Sequence, residues 1–120
     1  MERYSYEAQE FALIENSSLP FAVYQFLNKR VVTIALSAGF CKLFGFTDRA
    51  EAYSVMDNDM YRDAHPDDIA RIASAAVHFA VDEVPYDVVY RTKVDGTYRI
   101  IHARGEHTYK DGVRLAVVWY

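Results

Sequence analysis

Residues 65–96 read HPDDIARIASAAVHFAVDEVPYDVVYRTKVDG, and the fold turns on this stretch. Pro66 suits the first position of a helix, because the N–H it lacks would be unpaired there anyway. Asp67 and Asp68 place two carboxylates in the first turn, where they complement the helix dipole. Ile69, Ile72, Ala73, Ala76, Phe79 and Ala80 then recur at helical spacing as one apolar stripe. The helix is expected to close near Glu83, before Pro85. Tyr86–Val94 follows as a strand, and Asp95-Gly96 is a strong hairpin turn signal. A long amphipathic helix thus runs directly into an antiparallel hairpin, which is the grammar of an α+β domain.

Working outward, Thr97–Tyr109 and Val113–Tyr120 read as two further strands joined by Lys110-Asp111-Gly112. Upstream, the spacing predicts a short helix over Arg49–Tyr53 behind a Thr47-Asp48 cap, with 54–64 irregular around Asp57-Asn58-Asp59. Ser37 caps another short helix that ends at Phe44-Gly45. Residues 20–36 form a hairpin of Phe21–Leu27 and Val31–Leu36 turning at Asn28-Lys29-Arg30. A first helix is expected over 4–16, with Tyr4, Ala8, Phe11 and Ile14 on one face. Residues 1–17 are therefore read as a flanking helix and 18–120 as one domain. Trp119-Tyr120 lies inside an apolar strand with no polar tail, so the chain is expected to be truncated from a longer protein.

Composition agrees with a single folded unit. The chain has 120 residues, 52% of them hydrophobic and 15% aromatic, which is enough to bury a core and argues against disorder. A net charge of −4 without a basic stripe disfavours nucleic-acid or anionic-membrane partners. Cys41 is the lone cysteine, so no intrachain disulfide or cysteine metal site can form, as suits a reducing compartment. No signal peptide precedes the first helix, and no stretch approaches the ~20 apolar residues of a membrane span. A cytoplasmic location without membrane contact is expected.

Several local motifs in this order are similar to those of PAS sensor domains. Phe40-Cys41-Lys42-Leu43-Phe44-Gly45-Phe46 resembles the family's helix ending in a Leu-Phe/Tyr-Gly corner. His65-Pro66-Asp67-Asp68 resembles its start to the long helix, and Tyr90-Arg91-Thr92-Lys93-Val94-Asp95-Gly96 its Tyr-Arg…Asp-Gly hairpin. Ala22-Val23-Tyr24-Gln25-Phe26 and Leu36-Ser37-Ala38-Gly39-Phe40-Cys41 resemble PAS domains that precede cyclic-di-GMP synthase and phosphodiesterase domains. Histidine-kinase parents carry very similar modules. The resemblance implies a five-stranded antiparallel sheet with helices over one face, acting as a regulatory sensor rather than as an enzyme. Its implied partners are a second copy of the chain, through Tyr4, Ala8, Phe11 and Ile14, and a covalently linked output domain.

Candidate sites were weighed residue by residue. In the flavin-binding PAS subfamily an Asn precedes the reactive cysteine, but here Phe40 precedes Cys41, so Cys41 reads as a structural thiol. Haem-binding members ligate iron from the long helix, yet His78 falls on that helix's polar face with Arg71, Ser74 and Asp82. His65 reads as part of the helix start. His102 and His107, five residues apart on one strand, must face opposite ways. His102 is taken as the pocket candidate because Ile101 and Ala103 flank it. Asp57, Asp59, Asp63, Asp67 and Asp68 lack the spacing of a calcium loop and read as dipole complement and solvated loop. No catalytic motif and no metal site are found, and no cofactor is expected. A pocket between sheet and helices remains, able to take a small ligand. Its expected lining is Phe44, Phe46, Met56, Met60, Tyr61, Ile72, Ala76 and Phe79 from the helical side, with Tyr24, Ile34, Tyr90, His102 and Trp119 from the sheet. A steroid-isomerase-like or cystatin-like cone would begin with helices followed by a sheet, whereas here two strands precede the helical block.

Overall fold

A computed structural model describes residues 2–120; Met1, assigned above to the flanking helix, lies outside them. The elements run α1 (Ala8–Glu15), β1 (Phe21–Leu27), β2 (Arg30–Leu36), α2 (Ala38–Leu43), α3 (Arg49–Asn58), α4 (Pro66–Val81), β3 (Tyr86–Val94), β4 (Thr97–Lys110) and β5 (Val113–Trp119). The strands form one antiparallel sheet in the order β2-β1-β5-β4-β3. Asn28-Lys29, Asp95-Gly96 and Asp111-Gly112 all carry positive φ at both central positions. That conformation matches the strand twist and fixes all three hairpin registers.

Helix starts follow their caps. Ser37 accepts from the Phe40 N–H, Asp48 from Ala50 and Glu51, and the His65 imidazole from Asp67. α3 runs five residues past the expected Tyr53, to Asn58. Its last turn is held by the sheet, because the Asp57 carboxylate accepts the Thr33 N–H at 2.7 Å, the Tyr53 hydroxyl accepts the Leu36 N–H at 3.0 Å, and both anchor α3 along β2. β3, at the other edge, is covered by the 63–65 segment through Lys93 N–H to Asp63 O and His65 N–H to Arg91 O. Each edge is thus covered over part of its length, which blunts it for strand pairing.

The sheet buries a cluster on each face. α2, α3 and α4 enclose the larger one, centred on Tyr24, Leu36, Phe40, Ile72, Phe79 and Val118. The second, of Val23, Val32, Ile34, Ala35 and Leu115, lies under Tyr4, Tyr6, Phe11 and Ile14. The first helix is shorter than expected: residues 2–7 are not helical, and the helix starts only at Ala8. The cause is the buried Gln25, whose side-chain oxygen accepts the Tyr4 N–H at 2.7 Å and whose amide donates to Glu2 O.

Candidate functional site

The inner face encloses a cavity of ≈ 90 Å³ between sheet and helices. α2 and the turn after it contribute Phe40, Phe44 and Phe46, α3 and the following turn Val55, Met56, Met60 and Tyr61, and α4 Ile72, Ala76 and Phe79. From the sheet come Tyr24, Phe26, Val31, Tyr86, Tyr90, Ala116 and Val118, and Tyr120 follows the last strand. Tyr24 and Tyr120 share a hydroxyl–hydroxyl bond of 2.8 Å. The Tyr120 ring meets Phe40 and Phe44 edge-on, each at 5.2 Å between centroids. A surface groove lined by Arg30, Asp57, Asn58 and Asp59 shares Val31, Met56, Met60 and Tyr61 with the cavity and forms its mouth.

Three expected lining residues lie elsewhere. Ile34 is on the opposite face, because Val23 pairs with Ala35 while Tyr24 pairs with Thr33, and the bulge turns Ile34 into the second cluster. His102 points outward to Asp87 at 2.7 Å. The flanking Ile101 and Ala103 are inward, so alternation itself sends His102 to solvent. His107 is the inward histidine of β4, stacked on Phe79 at 4.1 Å with Nε2 bonded to Phe79 O. Trp119 stacks on Phe21 on the outer face and is 44% exposed. Tyr120 takes the inward place instead, and period two from Ala116 through Val118 was the signal for it. Phe26, Val31, Phe40 and Tyr86 were also missed.

Of the residues expected at a dimer contact, Tyr4, Phe11 and Ile14 pack on the chain's own sheet, and only Ala8 is exposed. α3 also binds this flank. Arg49 donates to Glu15 O, the Tyr53 hydroxyl donates to the Glu15 carboxylate at 2.8 Å, and Arg3 reaches Asp57 at 2.8 Å and Thr33 O. Cavity and flanking segment thus lie on two sides of one helix.

Electrostatically the cavity is neutral. Burial pushes the hydroxyls of Tyr24, Tyr61, Tyr86, Tyr90 and Tyr120 upward, so they stay protonated O–H groups. The five carboxylates of 57–68 do not converge. Asp63 pairs with Arg62, Asp68 takes the Arg91 guanidinium and N–H, and Asp57 takes Arg3 and Thr33. No group of three or more His, Cys, Asp or Glu is arranged to hold a metal ion among the described residues. The long-helix His78 is on the outside with Asp82 at 2.7 Å. Cys41 is buried in α2, and burial raises its thiol pKa.

No protein-family profile matches this chain, and no curated protein matches it. Among solved structures, the chain is similar to a sensory box histidine kinase/response regulator from Burkholderia thailandensis. The match has a TM-score of 0.55 and 24% identity, covering 94% of this chain and 82% of that one. The likeness is one of fold: a curled five-stranded antiparallel sheet with helices, the PAS-like sensor box. No helix among the described residues is long and apolar enough to cross a membrane.

Proposed function

We propose that the chain is a non-catalytic sensor module of a bacterial, cytoplasmic signalling protein, in which occupancy of the interior cavity is passed through α3 to the N-terminal flank. One observation carries this reading. α3 lines the cavity with Val55 and Met56, while Arg49, Tyr53 and Asp57 of the same helix hold Glu15 and Arg3. A molecule that displaces Met56 therefore strains the contacts that dock residues 2–15. Packed elements switch between discrete arrangements rather than deform smoothly, so a small shift at α3 suffices.

The output is a covalently linked effector domain. The sensory-box histidine kinase neighbour favours a kinase, whereas the local motifs around Tyr24 and Cys41 favour a cyclic-di-GMP synthase or phosphodiesterase. No haem or flavin is part of this reading, because Phe40 precedes Cys41 where the flavin-binding subfamily has Asn, and His78 pairs with Asp82 on the outside of α4. The effector partners are paired by a homodimer of the module. The test is Asp57→Ala in the intact signalling protein. It cuts the Arg3 contact at the groove and leaves the interior hydroxyls in place. Basal output should shift, and an output identical to wild type would refute the relay.

A further inference from the structure

We infer that the cavity takes a small neutral molecule built on one ring and bearing an oxygen acceptor, which tyrosine hydroxyls recognise. This rests on reading the cavity as the sensory site and names what the site selects.

Size sets the first limit. An engineered apolar cavity of about 150 Å³ holds one benzene ring. At ≈ 90 Å³ this cavity admits a single ring once Met56 and Met60 yield at its mouth, and thioether side chains are suited to that. Fused ring systems are too large.

Charge sets the second limit. No Lys, Arg or His side chain lines the cavity among the described residues. An anionic ligand would give up its hydration without meeting a cation, and a buried unpaired charge is not tolerated. The lone carboxylate of the lining, Asp63, is already matched by Arg62 at 2.9 Å. A cation therefore has no free counter-charge either.

Hydrogen bonding sets the third. The Tyr24–Tyr120 bond uses one of that pair's two hydroxyl protons and leaves the other to donate. Tyr61, Tyr86 and Tyr90 bring three more hydroxyls, which burial keeps protonated. Tyr24, Tyr61, Tyr86, Tyr90 and Tyr120 all line this one cavity. An apolar wall carrying several unspent O–H donors favours a carbonyl, ether or hydroxyl oxygen on the ligand.

Four probes titrated into the full chain, followed by NMR shifts of cavity residues, test this. They are acetophenone, toluene, benzoate and 2-acetylnaphthalene. Acetophenone should bind saturably, toluene about tenfold more weakly for want of an acceptor, and the other two not at all. Tyr120→Phe should bring acetophenone down toward toluene and leave toluene unchanged. Ala76→Leu, which fills the cavity, should abolish both. If benzoate binds as tightly as acetophenone, or Tyr120→Phe leaves the acetophenone preference intact, the ligand class is overturned and the sensory cavity stands. If no probe binds, or binding survives Ala76→Leu in a folded variant, the cavity itself is not the site and both readings fall.

Discussion

Asp68 shows how far one residue can exceed its sequence reading. The HPDD motif marks it as a complement to the helix dipole, yet its carboxylate is buried and ties α4 to β3. Arg91 donates from its guanidinium at 2.8 and 3.0 Å and from its N–H at 2.8 Å, and Arg71 approaches at 3.2 Å. The Arg91 side-chain bonds, then its N–H, hold the Asp68 pKa well below the usual carboxylate range. A depressed folded pKa contributes stability that is complete above the unfolded value of about 3.9 and is lost as pH falls through the folded one. Asp57 shifts the same way; burial works against its ionisation, but Arg3 and Thr33 outweigh it. Asp68→Asn should therefore lower the Tm at neutral pH and flatten its fall below about pH 4, with Asp57 keeping part of the slope. Thermal melts across pH check this; an acid limb as steep as wild type would count against it. The two misplaced aromatics belong to this scale too. His102 was expected inside because Ile101 and Ala103 flank it, and Trp119 because it ends an apolar strand, whereas the one-residue alternation of β4 and β5 gives the inward places to His107 and Tyr120.

At the scale of elements, α4 was legible from end to end because its start, stripe and length are all local signals. Its phase is correct: Phe79 is 3% exposed, whereas His78 faces solvent. Phe79→Ala should cost about 3 kcal/mol, the lower part of the usual range because one side of the ring already borders the cavity. His78→Ala should change stability by no more than about 0.5 kcal/mol. Chemical denaturation of both variants checks the ranking, and the reverse order would place the helix a third of a turn out. α3 and the N-terminal segment were less legible for a shared reason. Nothing local in Ser54-Val55-Met56-Asp57-Asn58 favours helix, which is stabilised by Asp57 meeting the β2 edge across 24 residues of sequence. Tyr4 likewise has helical spacing but is drawn straight by Gln25, 21 residues away. Tertiary bonds override propensity at both places, and these are the two segments that the proposed relay uses.

For the whole molecule, the chain's own sheet packs against Tyr4, Phe11 and Ile14 of the stripe expected to meet a partner. Leu13 at 76%, Ile100 at 76%, Val89 at 47%, Trp119 at 44% and Tyr98 at 43% exposure are large apolar groups left on α1 and on the outer face of β3, β4 and β5. A homodimer through that face should appear in light scattering, and Ile100→Glu should convert it to monomer without unfolding it; a wild-type monomer at high concentration would refute the pairing. Five strands and their order along the chain were readable because hairpin turns and alternation are local, whereas the β1–β5 pairing, the cavity mouth and the relay depend on contacts between distant segments. The most direct test is hydrogen exchange over residues 2–16 in three proteins: wild type, Ala76→Leu with its cavity filled, and Ala76→Leu combined with Asp57→Ala. Filling the cavity should speed exchange in the N-terminal segment by displacing α3. The added Asp57→Ala should leave that segment fast and remove its dependence on the cavity. N-terminal exchange unchanged by Ala76→Leu, with effects confined to α4 and its neighbours, would contradict the relay.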